Sequence, residues 1–287
     1  MYRLNSFLPY SSEFGFFLNA ARFKSAMLLA LPIGHSSRPA PPLIYAVSLC
    51  GIYISRQAHS YLLEERYCRL AVEATCSNLS GSHPVKILHG IQAEVLLAYY
   101  FIANSRYPEA RYHIAAAVSM SIYAGLHKIG LPITTVLLPP RDSIEEGERI
   151  IGIWSVLILD RSLAISLGEA PQMIFPSDDP SSNFETPWPL DMGEYAQVRC
   201  FYFIHPSQSK SLIFSIFFLR AVSGLMWWWR AQYWSFWMDK RRPTATDPRW
   251  PCTPKQYCCG KRLQNWFAIL TEVSMNEDSI SKNKLTV

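Results

Sequence analysis

Between Ser143 and Gly168 the chain carries "SIEEGERIIGIWSVLILDRSLAISLG", whose middle, Ile150 to Leu159, is apolar around most of a helical circumference. A surface helix needs only one apolar stripe, so this helix has to be enclosed by several neighbours. Ser143 with Glu146 three residues on reads as a capping box, in which hydroxyl and carboxylate each satisfy a free amide at the helix start. Gly168 is the natural terminator.

The neighbours read as helices too. Residues 42–57, "PLIYAVSLCGIYISRQ", place Leu43, Ile44, Val47, Ile52 and Ile54 at helical intervals, and Gly51 inside the run marks close packing. A second helix runs from Tyr61 to Leu79 and breaks at "SGSHP". Pro84 then sits where a first-turn proline is tolerated, its missing amide proton having no partner there. Ile87, Ile91, Val95, Ala98 and Ile102, widened by Leu88 and Leu96, give residues 84–104 one broad buried face. Pro108 opens the next helix, in which Ala115, Ala116, Ala117, Ser119 and Gly125 allow close approach while Ile114, Val118, Ile122 and Leu126 fill the interface. These two helices are expected to form an antiparallel hairpin.

Residues 6–24 mix aromatic and polar side chains without a helical stripe, and "SSRPAPP" at 36–42 is a connector. Residues 169–191 are too proline-rich for a sheet interior and read as an ordered loop pinned by the Trp188 indole. No convincing strand alternation occurs in residues 1–198, and no second copy of any helical unit recurs at a period near 34. The expected fold is therefore all-α, an irregular multi-helix domain of stacked helix hairpins.

With 49% apolar residues, 287 residues can bury a sizeable core. Charge is uneven: residues 1–198 carry 14 basic and 17 acidic side chains, whereas 199–270 carry 11 basic and 2 acidic. Seven of nine tryptophans lie between Trp227 and Trp266. Seven cysteines at irregular spacings make no disulfide framework, and Cys50, Cys68 and Cys76 read as small core residues in a reducing compartment. The run "FKSAMLLALPIG" begins more than twenty residues in and lacks an A-x-A cleavage pattern, which excludes a signal peptide. Residues 212–229 approach the length of a membrane span but carry Arg220 centrally.

Catalytic chemistry is not evident. His89 with Glu94, and Glu109 with His113, are the neighbouring His/Glu pairs in helices; neither has a third ligand or an H-E-x-x-H frame, so a surface or interhelical hydrogen bond is the expectation. Asp178 and Asp179 fall in a Pro/Ser loop and read as solvated. Asp160 and Arg161 interrupt a buried helix and read as an ion pair or cap to a neighbour, with ligand recognition as the other reading. Nucleophile-elbow, phosphate-loop and dinucleotide patterns are missing, which argues against an enzyme.

The succession "EEGER", "WSVLILDR", "LGEAP" and "TPWPLDM" between 142 and 192 resembles the regulatory middle region of fungal zinc-cluster transcription factors. Further blocks resemble it in the same order: "FGFFLNAARF" (14–23), "SRPAPPLIYAVSLCGIYIS" (37–55), "HPVKILHGIQAEVLLAYYF" (83–101) and "YHIAAAVSMSIYAGLHKIG" (112–130), covering about residues 7–198. The family-signature positions are Gly125, Leu126, His127, Glu146, Glu148, Arg149, Trp154, Asp160, Arg161, Gly168, Pro187, Trp188 and Pro189. The resemblance implies a nuclear regulator of RNA polymerase II transcription with no catalytic residues. It further implies co-regulator partners, a small-molecule effector and homodimer formation as further options, and DNA contact through an N-terminal six-cysteine cluster holding two zinc ions. That cluster is not in this sequence: Cys252, Cys258 and Cys259 give C-x5-C-C without a C-x-x-C grip. No cofactor is therefore expected in this chain.

Two domains are expected: 1–198, an N-terminally truncated regulatory domain, and 199–287, an anomalous basic, Trp-rich tail that is poorly structured. The tail reads as a retained intron followed by a frameshift, because Val198 allows a GT donor and pyrimidine-rich codons would give its Phe, Ser, Leu and Ile bias. A basic aromatic nucleic-acid surface and a membrane anchor are the other readings of the tail. The alternative function is a helical scaffold or membrane-associated protein anchored by 212–229. A metal-dependent hydrolase using His113 is the third.

Overall fold

A computed structural model describes residues 2–55, 61–81, 83, 85–129, 137–174 and 184–197. Pro84, Asp178, Asp179, the residue 212–229 span and the whole 199–287 tail, with its cysteines, lie outside the described residues. Among the described residues the elements are helices α1 (Tyr2–Phe7), α2 (Ala20–Met27), α3 (Pro41–Ser55), α4 (Tyr61–Asn78), α5 (Lys86–Ala103), α6 (Tyr107–Tyr123), α7 (Ser143–Leu167) and α8 (Met192–Gln197). Two 3-10 segments, Leu8–Phe14 and Leu126–Lys128, complete the set, and no strand occurs among the described residues. The expected all-α fold is the observed one.

Helix α5 is the pivot. Ile91, Ala93, Val95, Leu96, Leu97 and Ala98 are fully buried, so this helix is enclosed on more sides than its single stripe suggested. The reason lies in its neighbours. Tyr53 of α3 meets Tyr100 edge-on at 5.7 Å, and the Cys50 thiol contacts the Leu96 carbonyl. From α4, Glu64 accepts from the Tyr100 hydroxyl at 2.9 Å and Asn78 Nδ2 donates to the Lys86 carbonyl at 2.7 Å. Contacts 64 to 100 and 78 to 86 run in opposite chain directions, so α4 and α5 are antiparallel. On the remaining side α6 returns along α5 after a three-residue turn: His113 reaches Glu94, and Met120 approaches Gly90. The α5–α6 hairpin expected from the alanine-rich sequence is thus present, with Pro108 in the first turn of α6.

The N-terminal segment is more ordered than its sequence suggested. Helix α1 lies on α3 so closely that a Cβ on Gly51 would stand 2.1 Å from the Arg3 carbonyl oxygen, which explains the glycine. The loop after Phe14 is fixed to α5 by one side chain: Gln92 accepts from the Phe17 amide at 2.7 Å and donates to the Gly15 carbonyl at 3.2 Å. Gly15, at φ 63°, turns the chain there.

The described residues fall into two compact units. Residues 2–159 with 172–197 form one. In the other, Asp160–Pro171 are described: the last turns of α7, where Ser166 donates to the Ser162 carbonyl at 2.8 Å and Gly168 ends the helix at φ 71°. Helix α7 is long and apolar enough to cross a membrane, but 67% of its most apolar window is buried within the fold, as in the core helix of a globular domain. Of the three described cysteines Cys50 is buried, Cys68 half-buried and Cys76 exposed, so the core reading fails for Cys76, which lies on the outer face of α4.

Candidate functional site

The N-terminal half of α7 is where separate parts of the first unit converge. Its start is capped by Asp142, not by the Ser143–Glu146 box: Asp142 Oδ1 accepts from the Glu145 amide at 2.9 Å, and the helix begins one residue earlier than that box requires. The Ser143 hydroxyl instead donates to the Tyr195 carbonyl at 2.7 Å, tying α8 to α7. Glu146 is half-buried, and burial pushes its carboxyl above the usual range. Asp142 also pairs with Arg22 of α2 at 2.9 Å, which holds its carboxyl below the usual range.

One turn further, Glu145 sits between two guanidiniums, Arg141 Nε at 2.7 Å and Arg149 Nη2 at 2.8 Å. Burial alone would raise the Glu145 carboxyl, but the bonds from Arg141 and Arg149 outweigh it and hold it below its ordinary value. Glu148, on the next face, accepts from the Asn19 amide at 2.8 Å while Asn19 Oδ1 caps α2 through the Arg22 amide at 3.0 Å. Burial pushes Glu148 up despite that bond. The acidic "EEGER" start is therefore a clamp that holds the head of α2 and the turn before α7. Its glycine has a separate reason: a Cβ on Gly147 would lie 2.5 Å from the Tyr195 ring.

Trp154 organises the next layer. Its indole Nε1 donates to the Pro187 carbonyl at 2.7 Å, its ring stacks on Trp188 with centroids 4.5 Å apart, and Phe184 meets it edge-on at 4.9 Å. The proline-rich loop is thus pinned by two indoles, with Trp154 contributing the hydrogen bond. The same loop is tied to the turn after α6: Glu185 N donates to the His127 carbonyl at 2.8 Å, and Thr186 Oγ1 donates to the Leu126 carbonyl and accepts from the Ile129 amide. Gly125, at φ 73°, makes that turn possible. Pro189 is buried beyond it, and the Tyr195 hydroxyl accepts from the Leu190 amide at 3.2 Å.

Ten of the sequence-selected positions thus lie in the first unit, around α7 or the two segments that meet it. Asp160, Arg161 and Gly168 belong to the second unit, where Asp160 is buried. Sequence reasoning did not single out Asp142, Gly147, Thr186, Tyr195 or Gln92. The one available signal was a polar side chain, Gln92, beside the apolar stripe of α5.

The expected surface and interhelical hydrogen bonds are present, although the histidine and glutamate that meet are not neighbours in sequence. His113 contacts Glu94 across the α5–α6 interface, both side chains buried, with Phe101 stacked on the imidazole at 5.1 Å. Glu109 turns outward to Arg106 at 2.8 Å. His89 accepts from the Ala40 amide at 3.1 Å. Helical spacing puts i and i+4 on one face, but here that face meets a neighbour that supplies better partners. Among the described residues no group of three or more His, Cys, Asp or Glu side chains converges as a metal site requires. Cys50 is buried with its thiol pushed up, which disfavours the thiolate a zinc site needs. At the start of α7 the charges of Asp142, Glu145, Glu148 and Arg149 are spent on one another, on Arg22 and Arg141, and on backbone amides, an arrangement suited to holding segments together.

A family model described as "Fungal specific transcription factor domain" matches residues 6–226. That match spans all the resembling blocks and extends past residue 198, where the composition changes. No curated protein and no solved structure matches the chain.

Proposed function

The chain belongs to the fungal specific transcription factor domain family, and we propose that it is the regulatory, non-DNA-contacting domain of a nuclear zinc-cluster regulator of RNA polymerase II transcription. The match over most of the chain carries this reading. DNA is contacted through a six-cysteine, two-zinc module outside this sequence, and zinc belongs there. The helical domain works by engaging co-regulators, an effector or a second copy of itself, and it catalyses nothing.

The geometry suits that role. The α7 clamp joins α2, the turn at 125–129, the loop at 184–190 and α8, so a partner binding any one of them changes the stability of the others. The signature positions act as the fasteners of this hub, with Trp154 as its principal anchor.

The test is to fuse the full chain to an unrelated DNA-binding module and place the module's site upstream of a reporter. Promoter occupancy and transcript level are measured together. Transcript is expected to change several-fold, up or down, relative to the module alone, and Trp154→Ala is expected to return it toward that baseline. Equal occupancy with unchanged transcript would sink the proposal.

A further inference from the structure

Helix α2 buries a single side chain, Phe23, whose ring meets Phe16 edge-on at 5.1 Å. Its outward positions Ala21, Lys24 and Ser25 face solvent, and Leu28 and Leu29 follow, also exposed, directly after the helix ends at Met27. The helix runs into a segment, Leu28–Ile33, without one polar side chain, and Leu28, Leu29 and Ile33 are 43%, 42% and 49% exposed. Single exposed leucines are ordinary, but a consecutive exposed apolar run in a folded protein marks a surface that binds something.

This segment is fixed in its exposed form. The Arg38 guanidinium donates to the Leu31 and Met27 carbonyls, His35 N donates to the Pro32 carbonyl at 3.2 Å, and Arg38 N donates to the His35 carbonyl at 2.9 Å. Those bonds anchor the backbone of the segment on either side of the leucines. The segment itself carries charge of one sign: from Phe14 to Leu63 the sequence holds no Asp or Glu, whereas Arg22, Lys24 and Arg38 fall within or beside this stretch. Asp142 faces Arg22 at the far end of α2, leaving the Lys24–Ile33 end cationic.

We infer that this surface docks an acidic amphipathic helix of a partner protein, its Leu or Phe side chains resting on Leu28, Leu29 and Ile33 and its carboxylates facing Lys24. The small side chains of Ala21 and Ser25 let a partner helix approach the backbone of α2 closely, and the charge complementarity sets its orientation. The inference stands independently of the transcriptional reading, since it rests on the exposed apolar run and its charge alone.

The probe is a fluorescein-labelled 20-residue peptide with Asp and Glu on one helical face and Leu and Phe on the other, titrated with the full chain and read by fluorescence polarisation. Saturable binding that weakens with added salt is expected. Leu28→Ser with Leu29→Ser, and separately Lys24→Glu, should each weaken it about tenfold, with unchanged far-UV circular dichroism. Because all three side chains are exposed, the variants are expected to fold. Absence of binding by the full chain overturns the inference, as do undiminished binding by both variants and equal binding of a peptide with Lys in place of Asp and Glu. Tighter, leucine-dependent binding to vesicles containing phosphatidylserine also overturns it, assigning the patch to a membrane surface.

Discussion

Glu94 and His113 illustrate how much rests on single side chains in this domain. Both are almost fully buried between α5 and α6, and each is the other's polar partner. Removing one leaves the other desolvated without compensation, whereas removing both substitutes apolar packing. Glu94→Leu or His113→Leu alone is therefore expected to lower stability by about 3 kcal/mol. The double replacement should cost clearly less than the sum. Urea denaturation of the four proteins measures this, and strictly additive losses would show that the pair does not interact. Neither partner could have been matched from sequence: Glu94 is five residues from His89 and His113 four from Glu109, and the interhelical contact overrides both spacings.

At the scale of elements, the start of α7 separates two roles that the sequence merges. Asp142 caps the helix and pairs with Arg22, whereas Ser143 bonds α8. Asp142→Ala is expected to cost about 1–2 kcal/mol in urea denaturation. Ser143→Ala should leave the α7 amides protected in hydrogen exchange while those of α8 exchange faster. A larger loss of α7 protection in Ser143→Ala would restore the capping box. The helices themselves were legible, since apolar periodicity and the proline breaks placed α3 to α7 within a few residues of their observed ends. Helices α1, α2 and α8 were not. Each has six to eight residues, too short to display a stripe, and each is held by distant contacts such as Gly51 against Arg3, Glu148 to Asn19 and Gly147 against Tyr195. The signature positions in the sequence pointed to α7 and the loop 184–190, but not to the fact that Trp154, rather than Trp188, makes the bond to Pro187.

For the whole molecule, acid sensitivity follows from His89. Burial, then the nearby His83 and Arg141, lower its pKa from 6.5 to about 3, and its Nδ1 accepts from the Ala40 amide. In the folded chain the ring is held deprotonated, so the unfolded chain binds the proton first. The stabilisation is complete above pH 6.5 and is lost as pH falls toward 3. Chemical denaturation at pH 7, 5.5 and 4 should show this decline, and His89→Asn, which keeps an acceptor for Ala40, should flatten it between pH 7 and 5.5. An unchanged slope in that variant would assign the decline to other groups. Asp142 and Glu145, both held low, act in the same direction only in more acid solution. The hydrogen bonds of Asn19 and Phe17 carry one more implication, for synthesis on the ribosome. Asn19 waits for Glu148, 129 residues later, and Phe17 for Gln92, 75 residues later. At ~5–20 residues per second the leading segment stays unfastened for roughly ten seconds. The beginning of this domain therefore closes only after α5 and the start of α7 have been made, and its aromatic run, Phe14 to Phe23, is what a nascent-chain chaperone would meet first.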